Sequence, residues 1–509
     1  MSIIANSICV ILALIAFTVN AQMTKEDKRA AAEHLLGKYI SISIDPYRGL
    51  TKEEWDRRSD IFLGKVDSAR NSNELYYSLR YFGALSNDGH FNFPDMGVYN
   101  RWKFFKKEDM IFPVIVKATQ NDRVFVVHDY SNSIPNYAEL LEINGIDAGE
   151  ISRLQHILVP FEPNYAYAYL NEKEEFSFRA WVSFSNYLFC ENISGPYTVK
   201  YSIDGVVKST TINAMERQIL HKMSRSLRSS SIPFFKKVMK YNQYNDSIAV
   251  LDINYFWGNN PLTFLFSYND SRFERLLRNR MKKINRNDIK HLVIDIRSNP
   301  GGYAKNIYEL MSYFVPDMAY DDKTIFKVSA EAQKDDRGAR ILESAIKMIY
   351  GKKGEEDKRI QTVELYKSMP EGSVFRMDTI MPMTYSYERS KHIYNNNVYV
   401  LANSTSFSAS TQFCNYIRKS GAGLIIGTPP AGYSKITGGA RIPFKYWLTF
   451  TVPMKIPHIL SNPLDEDAYH YIMPDIPIEN ELHDWVRGED KSLDILIEMI
   501  EFGKLPEKQ

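Results

Sequence analysis

The sequence predicts an α/β protein whose larger, C-terminal part is built on a parallel sheet. From Ser247 onward, short apolar runs alternate with helical patterns, and a strand–helix–strand succession pairs strands in parallel through right-handed crossovers. The run from His291 to Ile296 is nearly all apolar, as expected of a strand covered on both faces. Upstream, a β-rich stretch and a helical stretch follow other periodicities, so the 509 residues divide into two or three domains.

In the α/β part, Ile248 to Ile253 is the first strand and a helix follows around Arg272 to Ile284. Beyond the strand at His291 and a Gly-Gly turn, Ile307, Leu310, Met311 and Phe314 form a helical stripe. Val398 to Leu401 is the next strand. It leads into a helix bearing Phe413, Cys414 and Ile417, which stops near Gly421, and then into the strand Leu424-Ile425-Ile426. Residues 321–397, charged and partly helical, interrupt this pattern as an insertion. Leu493, Leu496 and Ile500 mark a final amphipathic helix.

Before it, Val114-Ile115-Val116, Val124 to Val127 and Leu140 to Ile143 are strand-like, with a tight turn at Asn144-Gly145 and a hairpin turning at Asp204-Gly205. Thr24 to about Leu85 reads as helical, with Leu75, Leu79 and Phe82 at helical spacing. It ends in the polar loop Ser86-Asn87-Asp88-Gly89, which carries His90.

Composition excludes several classes. At 44% apolar and 13% aromatic the chain buries substantial cores, and a formal charge of +2 without long single-sign runs argues against a nucleic-acid or membrane-surface partner. Met1 to Ala21 reads as a signal peptide: it has no charged side chain, an apolar run from Ile8 to Phe17, and the small-residue site Val19-Asn20-Ala21. The run is shorter than the roughly 20 residues that span a bilayer, so cleavage is favoured over anchoring. Secretion follows, to the periplasm or exterior for a bacterial source. Cleavage removes Cys9 and leaves Cys190 and Cys414, too few for a disulfide framework and without the Cys/His clustering of a zinc site. Two free buried thiols and no cofactor are expected.

Two segments carry chemistry. In Ile294-Asp295-Ile296-Arg297-Ser298-Asn299-Pro300-Gly301-Gly302 a buried strand ends in a polar stretch, and two glycines let backbone N–H groups approach a ligand. A tight strand-to-helix connection would need glycine for its geometry alone. In Ala402 to Thr411 a serine-rich run joins a strand to a helix. A serine there sits in the positive field of the helix start, although serine also caps helices with no chemical role.

Together and in this order, the two segments resemble peptidase family S41, the C-terminal-processing or tail-specific serine peptidases. Val250 to Phe256, Gly427 to Gly432 and Met473-Pro474-Asp475-Ile476 resemble the family's opening strand, glycine-bounded loop and closing strand. The resemblance implies a core like that of Clp protease or crotonase. It implies Ser408 as nucleophile, with an oxyanion hole from the N–H of Ala409 and that of Gly301 or Gly302. It also implies a PDZ-like domain upstream, matched by Leu140 to Asp147, which would add an extended peptide at a sheet edge or only brace the core. The lysine base of the tail-specific members falls here on Tyr433, a poor base at neutral pH, with Lys435 two residues on. Asp88-Gly89-His90-Phe91 instead resembles the branch with tricorn and retinoid-binding-protein-like members, whose base is a histidine before the PDZ-like domain. His90 is therefore the preferred base and Lys435 the less favoured one. Thr428 stands where many members carry glutamate, and the residue orienting the base is left unassigned.

The expected division is a signal peptide at 1–21, a helical region at 22–107, a PDZ-like domain at 108–212, a linker at 213–246, and a catalytic domain at 247–509. The expected function is a secreted serine endopeptidase acting on peptide or protein substrates through an acyl-enzyme on Ser408. The alternative is an inactive relative that binds peptides or small apolar ligands.

Overall fold

The computed structural model describes residues 24–91, 105–172, 183–224, 237–257, 271–297, 299–315, 319–321, 325–330, 333, 364–365, 367–376, 384–386, 392–433, 436–446, 450–461 and 470–505. The signal-peptide expectation lies outside them, as does most of the insertion.

Three helices open the chain: α1 (Lys25–Ile42), α2 (Lys52–Ser68) and α3 (Ser72–Ala84). Thr24 starts α1 with a reciprocal capping box to Asp27, and Thr51 caps α2 through the Glu54 N–H. Leu35, Tyr39, Phe62, Val66 and Phe82 lie on their buried faces.

The β-rich module follows. Its sheet runs β1 (Val114–Ala118), β2 (Val124–Asp129), β3 (Glu139–Ile143), β5 (Tyr197–Ile203), β6 (Val206–Ile212), with the short β4 (Ile146–Asp147) paired to β3. Both expected tight turns are present. Asn144-Gly145 and Asp204-Gly205 all adopt positive φ, the conformation a two-residue hairpin turn requires. Helices α4 (Ala148–His156), α5 (Pro163–Glu172) and α6 (Phe184–Cys190) cover the module.

The core sheet is six-stranded, in the order β16 (Ile476–Pro477), β13 (Leu424–Gly427), β12 (Asn397–Ala402), β9 (His291–Asp295), β8 (Ile248–Ile253), β7 (Met239–Gln243). All neighbours are parallel except β7, which pairs antiparallel with β8. Residues 239–243 fall in the stretch expected to be a linker. They extend the sheet instead, because the main-chain pairing of an edge strand needs no apolar run. Alternate residues of the strands bury on opposite faces. Leu251, Ile294 and Val400 pack with Phe413 and Ile417 of α9 (Ala409–Ser420) and with α7 (Ser271–Arg286) and α8 (Ala304–Met311). Val250, Val293 and Leu401 pack under α10 (Ser492–Glu501). Coverage of both faces is why these strands read as continuous apolar runs.

Two described pieces of the insertion, β10 (Ile325–Lys327) and β11 (Val374–Arg376), join a long hairpin, β14 (Ile436–Tyr446) and β15 (Phe450–Ser461), in a four-stranded antiparallel sheet ordered β11-β10-β15-β14. This sheet is not foreseen in the sequence, where residues 321–397 look charged and partly helical. Cys190 and Cys414 are free thiols, with Cys414 buried. None of the described helices is long and apolar enough to cross a membrane.

Edge strand β1 is not open along its length. The Asn171 amide of α5 accepts from the Ala118 N–H at 2.9 Å and donates to the Ala118 carbonyl at 2.8 Å. Beside it, Val116, Ala118, Gln155, His156 and Tyr167 line a small cavity. Burial lowers the His156 imidazole to about 4. The folded state thus holds the neutral ring, while the unfolded chain takes a proton near pH 6.5. Stability is therefore expected to fall as pH drops from about 6.5 to 4, by up to roughly 3 kcal/mol. Urea denaturation at both ends of that window should show His156→Leu losing that part of the slope.

Candidate active site

The parallel strands deliver β9 and β12 side by side, so the turns leaving their C-terminal ends face each other. Asn299 locks the two turns together. It is fully buried; its amide donates to the Ile253 carbonyl at 2.8 Å and accepts from the Gly301 N–H at 2.8 Å. Its own carbonyl accepts the Phe407 N–H at 2.9 Å and the Ser410 hydroxyl at 3.0 Å.

The serine-rich run, ambiguous as sequence, is sorted by these contacts. Thr405 bonds Asn403, Ser406 donates to the Ile296 carbonyl at 2.8 Å, and Thr411 donates to the Ala431 carbonyl at 2.8 Å. Each of those hydroxyls fastens the turn. Ser408 instead stands at the start of α9 with φ 59° and ψ −113° and makes no cap hydrogen bond with its side chain. A positive φ is costly for serine, and the packing around it must hold it there. Its Oγ lies 2.9 Å from Nε2 of His90, a residue 318 positions away in the chain.

His90 is oriented from behind. Its Nδ1 lies 3.1 Å from Oδ1 of Asp88, and the same oxygen accepts the His90 backbone N–H at 2.8 Å. The Phe407 ring packs against the imidazole with centroids 4.6 Å apart. Gly89 leaves room for this packing, since a Cβ there would come within 2.6 Å of the Phe407 ring.

Asp88 is the group that sequence reasoning left unassigned. The signal was present in Asp88-Gly89-His90: an aspartate readily bonds the N–H two residues on, and that local turn brings its carboxylate beside the ring. Thr428 carries no such role in the contacts; its N–H bonds the Ala402 carbonyl at 3.2 Å.

Behind Asp88 sits a buried charge cluster. Arg48, Asp88 and Glu162 are 2%, 0% and 1% exposed. Arg48 Nε lies 3.5 Å from Asp88 Oδ2, and Arg48 Nη2 donates to Glu162 Oε1 at 2.9 Å. Burial opposes the Arg48 charge, but Asp88 and Glu162 outweigh it and raise its pKa. Burial raises the Glu162 carboxyl, and the like charge of Asp88 adds to this against the pull of Arg48. Arg48 and Glu162 left no recognisable trace in the sequence.

Tyr433, at the place of the tail-specific lysine, stacks on Tyr471 at 5.2 Å and accepts from the Asn87 amide at 3.4 Å. Its hydroxyl is raised by burial, so it is no base at neutral pH. Lys435 lies outside the described residues.

The glycine pair meets Ser408 at close quarters. Gly301 (φ 96°) has the Phe407 carbonyl, the Ala409 N and the Ser408 Cβ within 2.8 Å of where its Cβ would stand. Its N–H is already engaged by Asn299, which removes it from the expected oxyanion donors. Gly302 (φ 151°) bridges Phe256 through the flanking Gly301 carbonyl and Tyr303 N–H, and its own N–H is outside that bridge.

Residues 247–478 match the model of peptidase family S41. Residues 247–478 form an S41 peptidase domain. With that domain the chain is a serine-type peptidase, and by fold it is an α/β protein. Among solved structures, mature CPAF complexed with lactacystin superposes with a TM-score of 0.57 at 16% identity, over 93% of this chain and 98% of that one. A second structure of mature CPAF gives 0.54 at 15% identity, over 94% and 97%. A putative peptidase from Parabacteroides merdae gives 0.43 at 13%, over 92% and 96%. At such identities the likeness to CPAF concerns the fold. No curated protein matches the sequence.

Gly301→Ala is expected to destabilise the core by about 1–3 kcal/mol, because the new methyl group meets backbone atoms on both sides of Ser408. Thermal denaturation of the variant beside the parent chain measures it, and an unchanged midpoint would contradict the close approach.

Proposed function

We propose that this S41 peptidase is a secreted serine endopeptidase that cleaves peptide or protein substrates through an acyl-enzyme on Ser408, with His90 as base and Asp88 orienting it. The observation that carries the reading is the 2.9 Å approach of His90 Nε2 to Ser408 Oγ, with the far ring nitrogen on a buried carboxylate. Nδ1–H donates to Asp88, which fixes the tautomer in which Nε2 accepts from the Ser408 hydroxyl.

In the first step Ser408 Oγ attacks the scissile carbonyl carbon as its proton passes to Nε2. The resulting oxyanion faces the N–H groups of Ala409 and Gly302. Collapse breaks the C–N bond, and His90 returns the proton to the leaving amine. Water then attacks the ester by the same route in reverse, releasing the acid and restoring Ser408. The α9 dipole favours negative charge at this point.

Residues 108–212 are read as the PDZ-like domain. The Asn171 contacts at Ala118 favour a bracing role over an open peptide-binding edge. The segment at 1–21 supports secretion. The inactive alternative rests on the absent lysine and glutamate; the contacts of His90 with Ser408 and Asp88 favour the active reading.

The test is labelling by a fluorophosphonate together with cleavage of an unstructured protein substrate. Ser408→Ala should abolish both, and Asp88→Asn should lower kcat by about 10³–10⁴-fold while the protein stays folded. Full activity in Ser408→Ala, or a mild effect of Asp88→Asn, would sink the assignment.

A further inference from the structure

Glu162 enters the site from the β-rich module, in the loop between α4 and α5, 72 to 74 positions after the Asp88–His90 loop it touches. It makes two contacts there. One carboxylate oxygen accepts from Arg48 at 2.9 Å, and the other accepts the Gly89 N–H at 3.2 Å. It also lies against the core, since a Cβ on Gly432 would stand 3.2 Å from its Oε1.

The arrangement poses an electrostatic problem. Arg48 alone against Asp88 would form a neutral buried pair, and the carboxylate meant to stabilise an imidazolium at His90 would be quenched. Burial and Asp88 raise the Glu162 carboxyl, while the Arg48 guanidinium at 2.9 Å and the Gly89 N–H favour its ionised form; with Glu162 ionised, two carboxylates about one guanidinium leave the cluster with a net negative charge. Away from solvent, one unit of charge behind Asp88 shifts the proton affinity of the ring.

The tyrosines facing the cluster do not alter the count across the working range. Tyr39 of α1 and Tyr433 and Tyr471 of the core are all raised by burial and stay neutral. Asp45, in the loop after α1, accepts the Arg48 backbone N–H at 3.0 Å and adds a partly exposed negative charge beyond the guanidinium. Ser408 and Phe407 are the core residues against the ring itself.

We propose that Glu162 is a positioning residue for His90: it offsets Arg48 so that the Asp88 charge remains available to the imidazolium, and it holds the Gly89 backbone that carries the ring. The inference rests on the peptidase reading above and makes the β-rich module part of the catalytic apparatus.

The test is the pH dependence of Ser408 acylation by a fluorophosphonate in the full chain, whose acid limb reports the base of the free enzyme. Removing one negative charge with Glu162→Gln should move that limb to lower pH by about one unit, and removing the positive charge with Arg48→Met should move it to higher pH by about as much. The double variant, which removes both charges, should return it to the wild-type position. Near-UV circular dichroism checks folding. If one single variant fails to fold, the other decides: its limb must move in its own direction while that of the double variant, whose buried pair is replaced by uncharged residues, does not. Limbs that stay put in both single variants, that move the same way, or that remain displaced in the double variant would overturn the role of Glu162 and leave the peptidase reading standing. A folded wild-type chain that does not label at all would overturn both.

Discussion

The site depends on a backbone held where serine does not go by choice. Ser408 has a left-handed φ, and the geometry is imposed from both sides. Asn299 ties the preceding turn to the carbonyl of Ile253 and to the N–H of Phe407, while α9 begins at the next residue. The glycine at 301 permits the approach because a side chain there would collide with the backbone of the serine turn. The strain lifts the hydroxyl out of the helix-capping role that its position would otherwise give it, and turns it towards His90. Neighbouring hydroxyls at 406, 410 and 411 serve the same end by fastening the turn to carbonyls.

The second constraint is the burial of charge. Placing Arg48, Asp88 and Glu162 almost out of contact with water costs solvation that their mutual attraction offsets only in good geometry. Such a cluster is poor evidence for stability and better evidence for specificity. It joins the loop after α1, the loop after α3 and the β-rich module at one point, with Tyr433 of the core stacked beside it. The N-terminal helices and the β module thereby deliver His90 to a serine that belongs to a different part of the chain.

The core follows more ordinary rules. Alternate residues of β8, β9 and β12 feed two hydrophobic faces, each covered by helices. Open parallel sheets expose the carboxyl ends of their strands as a crevice, and the turns after β9 and β12 meet there. Position in the sheet brings the two motifs together without further contrivance.

Much of this was legible in the residues. The apolar runs at 248–253, 291–296 and 398–401 announced a sheet covered on both faces, the Asn-Gly and Asp-Gly pairs announced their turns, and Asp88-Gly89-His90 contained the carboxylate that stands behind the ring. These are local patterns, set by side-chain periodicity and backbone preference. The β7 edge strand, the four-stranded sheet that gathers pieces of the insertion with β14 and β15, and the partnership of Arg48 with Glu162 were not legible. Each rests on contacts across long stretches of chain, where main-chain pairing and charge neutralisation leave no spacing to read. The sequence by itself determined the strands, the turns and the candidate serine and histidine. Only the tertiary structure decided which of six hydroxyls meets the imidazole, which carboxylate stands behind it and which glycine keeps its N–H, because those outcomes depend on distances between segments that folding alone brings together.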